Sequence, residues 1–149
     1  MENIDVTSLG RVYDVFTRAG LELAEQGEHS LKLSSPLAHY ICDFANPGVF
    51  QIRGVWRRTT TSPKDREALT QFVAQCNRER VIPKAYTLPT AAGRAATLGA
   101  EVNALTAHGL SQDQFYGFVD GAVVAIATLF ADAERALPLA PVPLGVVRD

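Results

Sequence analysis

A cysteine beside a histidine is the simplest route to a nucleophilic site, because the imidazole takes the thiol proton and leaves the thiolate that attacks. Cys42 and His39 are the only such pair close together in this sequence. They lie in a stretch that alternates apolar and polar residues, and alternation sends positions of odd separation to opposite faces of a strand. The pair is therefore not expected to meet. Carboxylates for acid–base work would have to come from Glu22, Glu25 or Glu101, and nothing beside them in sequence would raise a pKa. His29, His39 and His108 are scattered, without partners at metal-ligand spacing. The 11 glycines are dispersed, with no strand–loop–helix fingerprint for a phosphate or dinucleotide. The sequence nominates no catalytic residue, no cofactor and no metal, and the chain is expected not to be an enzyme.

Charge leaves two readings open. The net charge is −2, yet residues 51–94 carry nine basic residues against three acidic ones. Such asymmetry marks either an anion- or RNA-binding face, built on Arg53, Arg57, Arg58 and Lys84, or complementary surfaces within one fold or between subunits. Trp56 and Tyr86 could stack on bases, but Trp56 continues the alternation of Phe50 and Ile52 and reads as core. No basic run exceeds Arg57-Arg58, so nucleic acid is not expected as a partner. Cys42 and Cys76 lack a Cys-x-x-Cys spacing and fall on apolar faces, as buried reduced thiols do. The first residues, Met1-Glu2-Asn3-Ile4-Asp5, show neither signal nor transit peptide, which predicts a cytoplasmic address.

The elements that would position any site follow from periodicity and caps. The clearest is a helix between Gly109 and Pro138. Ser111 and Gln114 have the spacing of a capping box, and Pro138 lacks the N–H needed to continue. Phe115, Phe118, Val119, Ala122, Ile126, Leu129, Phe130, Ala133 and Leu137 recur at steps of three and four, the mark of one buried face. Gly117, Gly121, Ala125, Thr128 and Ala131 form a small-residue stripe roughly opposite. Small residues let another backbone come close, as in Gly-x-x-x-Gly packing, so the stripe is a candidate dimer contact. The alternative is an exposed face rich in a good helix former, against which stands the cost of two glycines, about 1 kcal/mol each. Asp113, Asp120, Asp132 and Glu134 interrupt the segment, and a membrane span is not expected.

Upstream, a first helix capped by Asp5 or Thr7 should run to about Ala19, with Leu9, Val12, Tyr13 and Phe16 as its stripe and Gly20 as a left-handed stop. Leu21, Leu23, Leu31 and Leu33 alternate around Gln26-Gly27-Glu28 as a hairpin. A second hairpin, Leu37–Phe44 and Val49–Thr59, turns at Asn46-Pro47-Gly48. On its second strand Gln51, Arg53, Val55 and Arg57 share a face expected to be solvated or turned to a partner. Ser62-Pro63-Lys64-Asp65 opens a helix with Leu69, Phe72, Val73 and Cys76 buried, after which Asn77-Arg78-Glu79-Arg80 leads out. Val81–Leu88 and Arg94–Leu105 read as strands, and the residues after Pro138, with Pro141 and Pro143, as an extended tail. The expectation is one α+β domain over residues 1–149: a mixed or antiparallel sheet with three helices, in the order α-β-β-β-α-β-β-α, the first block holding three or four strands.

Arg53-Gly-Val-Trp-Arg-Arg, the capped helix after it, Asn77-Arg-Glu-Arg, Pro83-Lys-Ala-Tyr and Gly109-Leu-Ser-Gln-Asp-Gln together resemble the YbjN family, labelled as bacterial sensory transduction regulators. The resemblance spans roughly Leu21 to Pro138. In that family the second helix usually ends with a tryptophan between two asparagines; Ala74 and Cys76 stand at the first asparagine and the tryptophan, and only Asn77 is kept. The resemblance implies a fold similar to type III secretion chaperones, commonly dimeric, and a regulatory role without catalytic residues. The expected partners are a second copy of the chain and an unidentified protein.

Overall fold

The computed structural model describes residues 13–46, 48–90, 95–105 and 111–141. Residues 13–18 are helical (α1) and bury Phe16 completely. Gly20, at φ +82°, ends them, and the Leu21 amide donates to the Phe16 carbonyl at 3.0 Å, closing a Schellman-type turn. The proposed caps at Asp5 and Thr7, with Leu9 and Val12, lie outside the described residues. Tyr13 is 38% exposed.

Six antiparallel strands follow the two expected hairpins and the later pair: β1 (Glu22–Gln26), β2 (Ser30–Ser34), β3 (Ala38–Asp43), β4 (Val49–Trp56), β6 (Lys84–Pro89) and β7 (Ala96–Leu105). Their order across the sheet is β1-β2-β3-β4-β7-β6, so β7 inserts between β4 and β6. The first block of strands thus comprises four, plus the two-residue β5 (Arg58–Thr59), which pairs with β8 (Ala140–Pro141) in a separate ribbon. The extended tail therefore returns to the end of β4, with Leu139 buried beside it. At the β3–β4 turn the Asn46 side chain accepts from the Gly48 amide at 3.0 Å, the Asx geometry that favours asparagine there.

Helix α2 (Pro63–Glu79) starts as its sequence demands: the Ser62 hydroxyl accepts from the Asp65 amide at 3.1 Å, and Pro63 occupies the first turn. Leu69 and Cys76 are buried, and Phe72 and Val73 pack half-buried against the core. The helix continues through Asn77 and Arg78 rather than leading out there, because Asn77 is turned to β6. Helix α3 (Gln112–Ala136) carries the full capping box, Gln114 N–H to Ser111 Oγ at 3.2 Å and Ser111 N–H to Gln114 Oε1 at 2.9 Å. Its expected face, with Val123 added and Phe118 half-buried, lies on the inner face of the sheet. There Phe16, Leu33, Tyr40, Phe50, Ile52, Trp56, Leu69, Leu98, Ile126, Leu129 and Phe130 join in one core cluster. By length and composition α3 is the one helix among the described residues that could cross a membrane; in the fold its apolar face is spent on the sheet. Two ion pairs tie its C-terminal half down, Arg58 with Glu134 and Arg80 with Asp132.

Candidate functional site

Among the described residues no helix covers the outer face of the sheet, and the register lays its side chains out in rows. One row runs Glu25, Lys32, Ile41, Arg53, Glu101, Lys84; the next runs Ser34, His39, Val55, Gly99, Tyr86. Val55 is nearly fully buried, although the face of β4 that carries it was expected to be solvated or turned to a partner, and Ile41 on the same side of the sheet is buried too. Long polar side chains such as Lys32 and Arg53 share these rows, and side chains of this kind can lay their stems over apolar surface while their tips stay wet. The Tyr86 ring sits directly on Gly99, where an added Cβ would come within 2.4 Å of it.

The four basic residues singled out from the sequence do not converge. Arg58 is held by Glu134 at 2.7 Å and by the Leu139 carbonyl at 3.1 Å, a fork whose bonds to Glu134 also raise its pKa. Arg57 donates to the Ser35 carbonyl at 2.9 Å and lies 3.5 Å from His39 Nδ1. Arg53 and Lys84 share the outer face but flank Glu101, itself bonded to Gln51 at 2.6 Å. A polyanion approaching this face meets a carboxylate between Arg53 and Lys84, and the anion- or RNA-binding reading gains no support.

The reactive pairs behave as alternation requires. Cys42 points into the core and His39 to the outer face. Burial pushes the Cys42 thiol well up, with the Asp43 charge adding, and burial is also the main cause raising Cys76. Both thiols are free. At pH 8 both should stay protonated and resist a disulfide reagent in the native protein, reacting only on unfolding; rapid native labelling of either would contradict the packing. Glu22 and Glu25 stand on β1, and β2, β3 and β4 separate them from Glu101 on β7. Among the described residues no cluster of three metal-ligating side chains occurs, and His108 lies outside them.

On α3 the small-residue stripe is open. Gly117, Gly121 and Thr128 are exposed, Ala125 and Ala131 are half-buried, and among the described residues nothing lies within 4 Å of a Cβ added at either glycine. Beside it, α1 and α3 enclose a groove of about 730 Å³ lined by Val15, Arg18, Tyr116, Gly117, Asp120 and Val124. Val124 is 58% exposed.

The two outermost strands differ. On β6 the Asn77 side chain takes both outward-facing backbone groups of Ala85: Nδ2 donates to its carbonyl and Oδ1 accepts from its amide, each at 2.9 Å. Backbone groups of an antiparallel strand point alternately in and out, so Ala85, Thr87 and Pro89 face away from β7. Ala85 is occupied and Pro89 has no N–H, so Thr87 alone keeps an outward donor. Pro83, just before the strand, brings none either. This role for Asn77 was hidden in the sequence, since an asparagine at a helix end advertises a cap and its partner lies on another element. Asn77→Ala should cost about 1–3 kcal/mol, because Ala85 is buried and its backbone groups lose their partner; a denaturant midpoint equal to that of the parent would mean that water replaces the amide. On β1, by contrast, all five residues are exposed, none is proline, and the outer edge meets no other strand among the described residues.

A family model described as "YbjN: Putative bacterial sensory transduction regulator" matches residues 8–135. Among solved structures, one described as "Crystal structure of YbjN, a putative transcription regulator from E. coli" aligns with a TM-score of 0.65 at 15% identity, covering 85% of this chain and 91% of that one. An uncharacterized protein from Methanothermobacter thermautotrophicus aligns at 15% identity with a TM-score of 0.48, covering 87% of this chain and 99% of that one. No curated protein sequence matches the chain.

Proposed function

The chain belongs to the YbjN family, and on that premise we propose that it is a non-enzymatic regulatory module: a cytoplasmic homodimer that acts in a chaperone-like manner by holding part of another protein. The observation that carries the reading is the exposed strip of small residues on α3. Two glycines in the middle of a long helix lower its stability, and neither is required by any close approach among the described residues. A second helix backbone packed against Gly117, Gly121, Ala125, Thr128 and Ala131 would recover that cost through close contact, and a two-fold axis would let the same strip serve both copies. The neighbouring Val124 and the α1–α3 groove extend the surface a twin could use.

Light scattering over a dilution series tests the dimer. A mass near twice 16.1 kDa is expected for the parent chain. Gly121→Leu should return it to a monomer, since leucine fills the space the second helix needs. The same change should leave the monomer fold intact or firmer, by up to about 1 kcal/mol, because leucine is the better helix former. A parent chain that is monomeric at all concentrations, or a dimer untouched by Gly121→Leu, would overturn the assignment of the strip.

A further inference from the structure

Resting on that reading of a protein-binding module, we infer that the outer edge of β1 receives the partner, and that the partner segment is an extended strand alternating basic and apolar residues. Of the two outermost strands, β6 is closed by Asn77 and Pro89, whereas the outer edge of β1 meets no other strand among the described residues and so presents backbone groups, the main source of affinity in strand addition. Its side chains select the incoming strand. The register shifts between Leu23 and Glu25, and this bulge places Glu22 and Glu25 on the same, outer face, opposite Ser34 and Lys32. Without the bulge Glu25 would share the face of Leu23. Leu23 stays on the inner face opposite Leu33 and is 40% exposed, an uncovered rim of the core. Glu28 in the following turn adds charge of the same sign. Lys32, 3.7 Å from Glu25, offsets only part of it. A strand laid along β1 therefore meets carboxylates on one face and an apolar rim on the other. A second copy of β1 would set glutamate against glutamate, which disfavours self-pairing at this edge.

The test is a titration of the full isotope-labelled chain with two short peptides, one a Val-Lys repeat and one a Val-Glu repeat, read by amide NMR shifts. Shifts over residues 22–26 with the Val-Lys peptide, and binding weaker by about tenfold or more with the Val-Glu peptide, are expected. The double variant Glu22→Lys/Glu25→Lys, at two exposed positions, should reverse the preference. Equal response to both peptides, shifts centred on β6 or the α1–α3 groove, or no response up to about 1 mM peptide would overturn the inference, leaving bulge and glutamates as devices that keep the edge bare. The two readings fail separately. A dimer broken by Gly121→Leu with β1 silent removes only the edge assignment, while a monomer whose β1 responds removes only the self-contact.

Discussion

Gly54→Val should destabilise the fold by about 3 kcal/mol or more, and Gly54→Ala by about 1–3 kcal/mol, the range for forcing atoms into a packed core. Gly54 sits in the middle of β4 directly under α3. A Cβ there would lie 2.7 Å from Phe130 Cε2 and 2.8 Å from Ile126 Cγ2. Both neighbours are fully buried, so neither can swing away into solvent, and the helix itself would have to lift off the strand. Shortening the obstacle should relieve the clash: Gly54→Ala combined with Phe130→Leu should lose less than the sum of the two single changes, a coupling that a double-mutant cycle reads directly. Gly117→Ala is the counterpart, because none of the described residues lies near that glycine, and it should stabilise the monomer by up to about 1 kcal/mol. Unfolding midpoints that rank Gly54→Ala level with the parent would show that α3 does not rest on β4 as described.

Trp56→Ala should cost about 3–5 kcal/mol, the usual cost of truncating a buried aromatic. The side chain is fully buried at the end of β4, opposite Ala38, and belongs to the same cluster as Leu69 and Phe130. Its indole Nε1 has no hydrogen-bond partner among the described residues. Trp56→Phe keeps most of the apolar area and removes that buried donor, so it should cost much less, about 1–2 kcal/mol. Because Trp56 is the only tryptophan, circular dichroism rather than intrinsic fluorescence must follow the transition. Equal losses for the two variants would mean that the indole makes a contact phenylalanine cannot supply.

What could be read from the sequence was local. Ser62 with Pro63, Ser111 with Gln114, and Asn46 beside Gly48 act within a turn of themselves, so spacing alone identifies them. The alternation of Phe50, Ile52 and Trp56 and the three-and-four steps of α3 gave the inner face of the sheet and the helix laid on it. Features that rest on distant partners stayed hidden. Nothing local places β7 between β4 and β6, commits Arg58 to Glu134 across 76 positions, or turns Glu25 outward through a bulge. Val55 was misjudged for a related reason, since its burial depends on how the neighbouring strands are arranged across the sheet. Among the surfaces, the small-residue strip was visible because helical periodicity exposes it. The contrast between the two sheet edges was not, since it depends on the strand order and on one asparagine.

That contrast limits how copies of this protein can associate. A sheet open at both ends can stack head to tail, each copy offering its last strand to the first strand of the next, and such an arrangement has no natural stop. Here one end is capped. With Asn77 over Ala85 and proline at the end of β6, that edge keeps a single outward donor, at Thr87, which disfavours a copy that would both give and receive an edge. A partner strand added at β1 would then not turn the molecule into a unit of a fibre.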